Sequence, residues 1–218
     1  MSKLINMRAA QGRLAQFLKE ENGTTLVELA IVLPIFLLLF FALIDFGRMG
    51  AEYVMANKAV QMATRIAVVR PAACPGVPTT NFRGSVPSGT VPPQFGTMCS
   101  AGATICAAPV ILPCSGNVAN PTVAEIWTAV SGLMPSTATP ANMVFRYDYN
   151  QNLGFLGGPF TPIVSVEIQQ LNFQFVTPIS ALAAMVGSNS GSLPGATIPF
   201  PSMSNSLPAE DLDLGDNG

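Results

Sequence analysis

Residues 24–44 read TTLVELAIVLPIFLLLFFALI, and Glu28 is the only ionisable side chain among them. Coiled as a helix, this run rises about 32 Å against a hydrocarbon core of about 30 Å, so it is long enough to cross a bilayer. The residues before it carry Lys3, Arg8, Arg13 and Lys19, whereas residues 45–64 carry only Arg48 and Lys58. By the positive-inside rule this asymmetry places the N-terminus in the cytoplasm and everything after Asp45 on the far side. The run exceeds the ~7–15 residues of a secretory signal core, and residues 41–46, FALIDF, offer no pair of small residues two apart behind it. Any cleavage is therefore expected in front of the apolar run.

The rest of the composition fits that setting. Of 218 residues, 10% are charged and 49% hydrophobic, where soluble domains carry about 25% charged residues. A membrane or a polymer is the expected environment, with room for one ordinary domain beside the span. The net charge is -2 and no basic run follows the first twenty residues, so there is no electrostatic footprint for nucleic acid. Histidine is absent, which removes the side chain most used for acid–base work, for orienting Ser or Cys nucleophiles and for binding zinc or copper. No enzymatic activity, cofactor or metal is expected. Cys74, Cys99, Cys106 and Cys114 lie close together without a C-x2-C pair, which favours disulfides over a zinc site. Four cysteines allow three pairings, and the sequence does not choose among them. Disulfides persist in oxidising compartments such as the bacterial periplasm, in agreement with the topology drawn from the basic residues.

Gly23 stands between the charged leader, LKEENG, and the apolar run, where a residue without a Cβ leaves the backbone open to another protein. A cut after Gly23 makes Thr24 the first residue and Glu28 the fifth. A carboxylate inside a spanning helix costs about 2.5–3.5 kcal/mol on insertion scales and calls for a partner. The new amino group of Thr24 on a neighbouring subunit, cationic near neutral pH, is one such partner. The alternative is an interfacial Glu28 that reaches headgroup water. Pro34 removes one helical hydrogen bond and clashes with the carbonyl of Ala30, which predicts a kink or local loosening unless the helix simply tolerates it.

The stretch from Gly23 to Arg48, G-TTLVE-LAIVLPIFLLLFFALIDFGR, resembles the N-termini of class III type IV prepilins, and specifically the TadE-like pseudopilins of the tight-adherence (Flp-type) pilus, a type II secretion-like system. In that family a short basic leader ends at Gly, Glu stands fifth, a Leu-Pro interrupts the helix and an Asp-Phe-Gly-Arg-like segment closes it. One departure is Leu29, where the family more often has an aromatic residue. The resemblance implies processing by an aspartyl prepilin peptidase between Gly23 and Thr24. It also implies partnership with other pilin and pseudopilin subunits, a platform membrane protein and a cytoplasmic assembly ATPase.

Beyond the span, Met55, Ala59, Met62, Ile66 and Val69 recur at helical spacing while Glu52, Lys58, Gln61 and Arg65 lie off that line. They predict an amphipathic continuation over 46–70, ended by Pro71 and covered by the protein's own domain, with a stripe reserved for another subunit as the alternative. Residues 71–121 hold nine prolines and six glycines, which reads as an extended loop stapled by the cysteines. Thr122 with Glu125 reads as a capping box opening a short helix, with Trp127 as a core anchor. Phe145, Tyr147 and Tyr149 alternate with Val144, Arg146 and Asp148, and Val164, Val166 and Ile168 share a face; these two strands are expected to pair as an antiparallel hairpin. Residues 179–186 form a short apolar segment, 196–203 a further strand, and 209–218 an acidic, solvated, disordered tail.

The expected fold is α+β, a pilin-like lollipop. A cytoplasmic leader (1–23) precedes a transmembrane helix (24–45), its amphipathic continuation (46–70) and a disulfide-bearing, β-containing head (71–208) outside the inner membrane. The expected role is that of a minor pilin in priming, initiation or tip formation. The rivals are an uncleaved signal-anchored periplasmic protein and a tip adhesin.

Overall fold

The computed structural model describes residues 21–175, 197–210 and 212. It is α+β, with a long N-terminal apolar helix followed by a β-sheet domain carrying two disulfides, as the sequence predicts. The leader before residue 21, the apolar segment 179–186 and residues 211 and 213–218 of the expected tail lie outside the described residues. Two compact units meet along the chain at Gly47/Arg48 and at Gln174/Phe175.

Helix α1, Glu21–Ala67, is continuous through Pro34. It supplies its first part to one unit and its residues from Arg48 onward to the other. In the first unit the apolar side chains from Leu26 to Phe46 stand largely exposed, from 36% at Leu37 to 73% at Leu43. Phe36 and Phe40, one turn apart, stack with centroids at 6.1 Å. Asp45, by contrast, is buried.

In the second unit, the head, α1 buries Ala56, Ala59, Val60, Ala63, Thr64 and Ala67 in the main core. This face differs from the expected stripe. Of that stripe only Ala59 is buried and Ile66 is half-buried, while Met55, Met62 and Val69 are 38–41% exposed. Helical spacing is common to both faces; alanine wins because its small side chain lets the backbone approach the sheet closely enough for its larger residues to fill the gap. Thr64 is tolerated there because its hydroxyl donates to the Val60 carbonyl at 2.8 Å.

The sheet runs in the order β1 (Cys114–Ser115), β2 (Met143–Asp148), β3 (Ile163–Ile168) and β6 (Met203–Pro208), every pair antiparallel. Strands β2 and β3 form the expected hairpin, with Phe145 opposite Val166 and Tyr147 opposite Val164. All four are buried together with Ile168, while Arg146 and Asp148 face outward. The period of two thus fixes which face is dry and, with it, the register across a long loop. A second ribbon pairs β4 (Asn172–Gln174) with β5 (Thr197–Pro199).

Helix α2, Pro121–Val130, packs Val123, Ile126 and Val130 into the same core, with Trp127 half-buried at its edge. Its cap is Asn120, whose side chain accepts from the amides of Thr122 and Val123, followed by Pro121 at the first helical position. The expected capping box is not formed. Thr122 donates its hydroxyl to the Pro71 carbonyl at 2.8 Å, and the Glu125 carboxylate accepts from Nε and Nη2 of Arg70 at 2.9 and 3.0 Å. An Asn cap followed by Pro outcompetes a Thr two residues later, since Pro has no amide needing a partner and its φ is already helical. Ala209 and Leu212, expected in the solvated tail, are buried in the core, and the amides of Ala209 and Glu210 donate to Pro162 and Val68.

The cysteines pair as Cys74–Cys114 and Cys99–Cys106. The first bond joins the chain just beyond α1 to the sheet-edge strand β1. The second closes a small cluster with Leu156. Asn81, buried in the same loop region, donates to the carbonyls of Phe155 and Pro159, tying two loops that have no regular ladder between them.

Tyr147 anchors the start of this loop. Its hydroxyl accepts the Ala73 amide at 2.8 Å, and burial pushes its phenol above the usual range while that donated bond pulls it back. Tyr147→Phe keeps the ring but removes the acceptor of a buried amide, which is expected to cost about 1–3 kcal/mol. A denaturant titration should show a lower midpoint with an unchanged slope.

Candidate functional site

The residues singled out by sequence lie along the first unit of α1. Gly23 and Thr24 are within the helix, and their side chains fall outside the description. Glu28 is exposed, on a helix whose neighbouring Leu26, Val27 and Leu29 are 57–68% exposed. α1 holds the one helix among the described residues that is long and apolar enough to cross a membrane, and none of its most apolar stretch is buried. Such a surface loses free energy in water at about 25 cal/mol per Å² of apolar area. It therefore demands cover from lipid or from other helices.

Arg48 stands at the start of the head. Its Nε donates to Glu52 at 3.0 Å, its Nη2 to the Gln174 carbonyl at 2.8 Å, and its guanidinium lies 4.9 Å from the centre of the Phe173 ring. The Arg70–Glu125 pair, half-exposed, joins α1's exit to α2; each partner stabilises the other's charge, so Glu125 titrates below and Arg70 above its ordinary value.

The outward face of the sheet forms a polar hollow of about 250 Å³ lined by Val144, Arg146, Asp148, Ser165, Glu167 and Ser204 with Ser206. Glu167 lies opposite Val144, and Asp148 lies opposite Ile163. The backbone positions of the two acids are therefore four residues apart along the ladder, about 13 Å at 3.3 Å per residue. Paired catalytic carboxylates of glycosidases stand within about 9.5 Å. Among the described residues no group of three or more His, Cys, Asp or Glu side chains is placed to hold a metal.

Residues 23–65 match the family model described as TadE-like protein. The match begins at Gly23 and stops just short of the end of α1, so it covers most of the helix, including the part that packs in the head, and leaves the rest of the head unmatched. No characterised protein and no solved structure matches the chain.

Proposed function

We infer, taking as premise that the N-terminal helix is TadE-like, that this chain is a minor pilin, or pseudopilin, acting in the priming, initiation or tip of a tight-adherence pilus. The observation that carries the reading is the coincidence of three boundaries at one place. The family match starts at Gly23, the charged leader ends there, and the exposed apolar face of α1 follows it. In this reading a prepilin peptidase cuts between Gly23 and Thr24 at the cytoplasmic face of the inner membrane. The helix then anchors the subunit, and the head lies on the periplasmic side, where its two disulfides can form. The role is assembly rather than catalysis. The expected partners are sibling pilins, a platform protein and an assembly ATPase.

The test is the N-terminal sequence and intact mass of the protein from cells with and without prepilin peptidase activity. A start at Thr24 that depends on the peptidase is the expected result. Retention of Met1 in both strains would refute pilin processing and favour an uncleaved, signal-anchored protein.

A second reading, adhesion through the head, has one observation behind it. Phe82, Phe95, Val91, Val110 and Leu112 are 62–92% exposed, in a loop region whose only charged side chain is Arg83. Exposed apolar side chains mark a contact site where they form one contiguous patch. If the head adheres, cells carrying serine at these five positions should assemble pili normally and bind surfaces less.

A further inference from the structure

The head carries an apolar groove at the point where its share of α1 begins. It is lined by Met49, Gly50 and Tyr53 of α1 and by Ile198, Phe200 and the prolines flanking Phe200, and it encloses about 340 Å³. That volume is at the low end of the ~300–1,000 Å³ range of ligand sites. Tyr53 stacks on Phe200 at 6.5 Å, Phe200 meets Phe173 edge-on at 6.0 Å, and the Arg48 guanidinium covers Phe173. The groove is open. Tyr53 is 37% and Ile198 41% exposed, and a Cβ added at Gly50 would meet no atom within 4 Å. No charged side chain lines it.

We propose that this groove is a membrane-contacting surface that seats the base of the head in the acyl and headgroup boundary of the leaflet it faces. Two observations select lipid as the occupant. The first is reach. Met49 follows Ile44, the last residue of the apolar run, by five positions, so even fully extended chain holds it within about 18 Å of the end of the span. The second is chemistry. A tyrosine whose ring sits in an otherwise apolar lining while its hydroxyl can reach water has the character of the aromatic belt found at the membrane–water boundary. A lining whose only side-chain hydrogen-bonding group is the Tyr53 hydroxyl offers little to orient a polypeptide backbone, whereas acyl chains need no such partner.

The proposal rests on the membrane-anchored reading above, and its test separates the two. The full chain is reconstituted into phosphatidylethanolamine–phosphatidylglycerol vesicles, with or without phospholipid brominated near the headgroup end of its acyl chains. Trp127, the only tryptophan, is replaced by phenylalanine, and single reporters are placed as Tyr53→Trp, Ile198→Trp and, in the span, Leu37→Trp. Both groove reporters are expected to lose about half of their emission to the brominated lipid, as groups lying roughly 5–10 Å into the boundary should. Quenching of Leu37→Trp with neither groove reporter affected overturns the groove proposal and leaves the anchor standing. An unquenched Leu37→Trp overturns both. Groove emission that shifts with the protein-to-lipid ratio but ignores bromine assigns the groove to a second copy of the chain, and lipid contact is then wrong.

Discussion

Replacing Cys74 and Cys114 together by alanine is expected to remove about 4 kcal/mol from the stability of the head, against about 2.5 kcal/mol for Cys99 with Cys106. The difference follows from chain entropy. The first pair closes a loop across a sequence separation of 40 and the second across a separation of 7, and the unfolded chain regains more freedom when the longer loop is opened. Packing adds to the asymmetry. Cys74 belongs to the main core, whereas Cys99 and Cys106 share a satellite cluster with Leu156. Strand β1, moreover, is only two residues long and pairs with β2 alone, so without its disulfide little else holds that edge to the sheet. A loss of 4 kcal/mol is a large fraction of the ~5–15 kcal/mol that ordinarily holds a domain together. Denaturant titrations of the two double variants under oxidising conditions would measure it. Equal losses, or a larger loss for the short loop, would show that loop closure does not govern the contribution of these bonds.

What the sequence disclosed depended on whether the deciding interaction was local. The strands were legible because alternation is a local signal: Phe145 and Tyr147 inward against Arg146 and Asp148 outward, matched by Val164, Val166 and Ile168. The span was legible because a long uncharged run needs no partner to be recognised. The packing face of α1 was not, because two faces shared helical spacing and the larger side chains of Met55 and Met62 outweighed alanine in any count of hydrophobicity. The choice was made by the distance between helix and sheet, a tertiary quantity absent from a periodicity. The cap of α2 was misread for a related reason. Thr122 and Glu125 have the spacing of a capping box, but their partners are Pro71 and Arg70, some fifty residues earlier in the chain. The disulfide pairing and the groove joining Tyr53 to Phe200 are non-local in the same sense. Of the candidate site, Gly23 and Glu28 could be singled out because their meaning lies in their position relative to the span rather than in any contact of the head.

Glu28→Leu is expected to favour membrane insertion, by at most the about 2.5–3.5 kcal/mol that a charge costs at the centre of a span, and yet to abolish entry of the subunit into pilus assemblies. The insertion half follows from solvation. Glu28 is the one ionisable group between residues 24 and 44 and stands among exposed Leu26, Val27 and Leu29, so leucine removes the costliest side chain of the span. At 1.4 kcal/mol per factor of ten, that upper bound corresponds to a shift in partitioning of at most roughly a few hundredfold. The assembly half follows from the proposed pairing of Glu28 with the amino group of Thr24 on a neighbour, which an apolar side chain cannot make. Glu28→Gln separates charge from hydrogen bonding, since it keeps the size and a carbonyl acceptor but cannot neutralise an ammonium group; it too should fail to assemble. Both variants should still be cut after Gly23, which keeps a defect in assembly distinct from one in processing. The measurement is the ratio of subunit in the surface-sheared fraction to subunit in the membrane fraction, with the N-terminus sequenced in each. Should Glu28→Leu reach the sheared fraction at the level of the parent chain, the carboxylate is not an assembly contact. Its presence in the span would then reflect only its nearness to headgroup water.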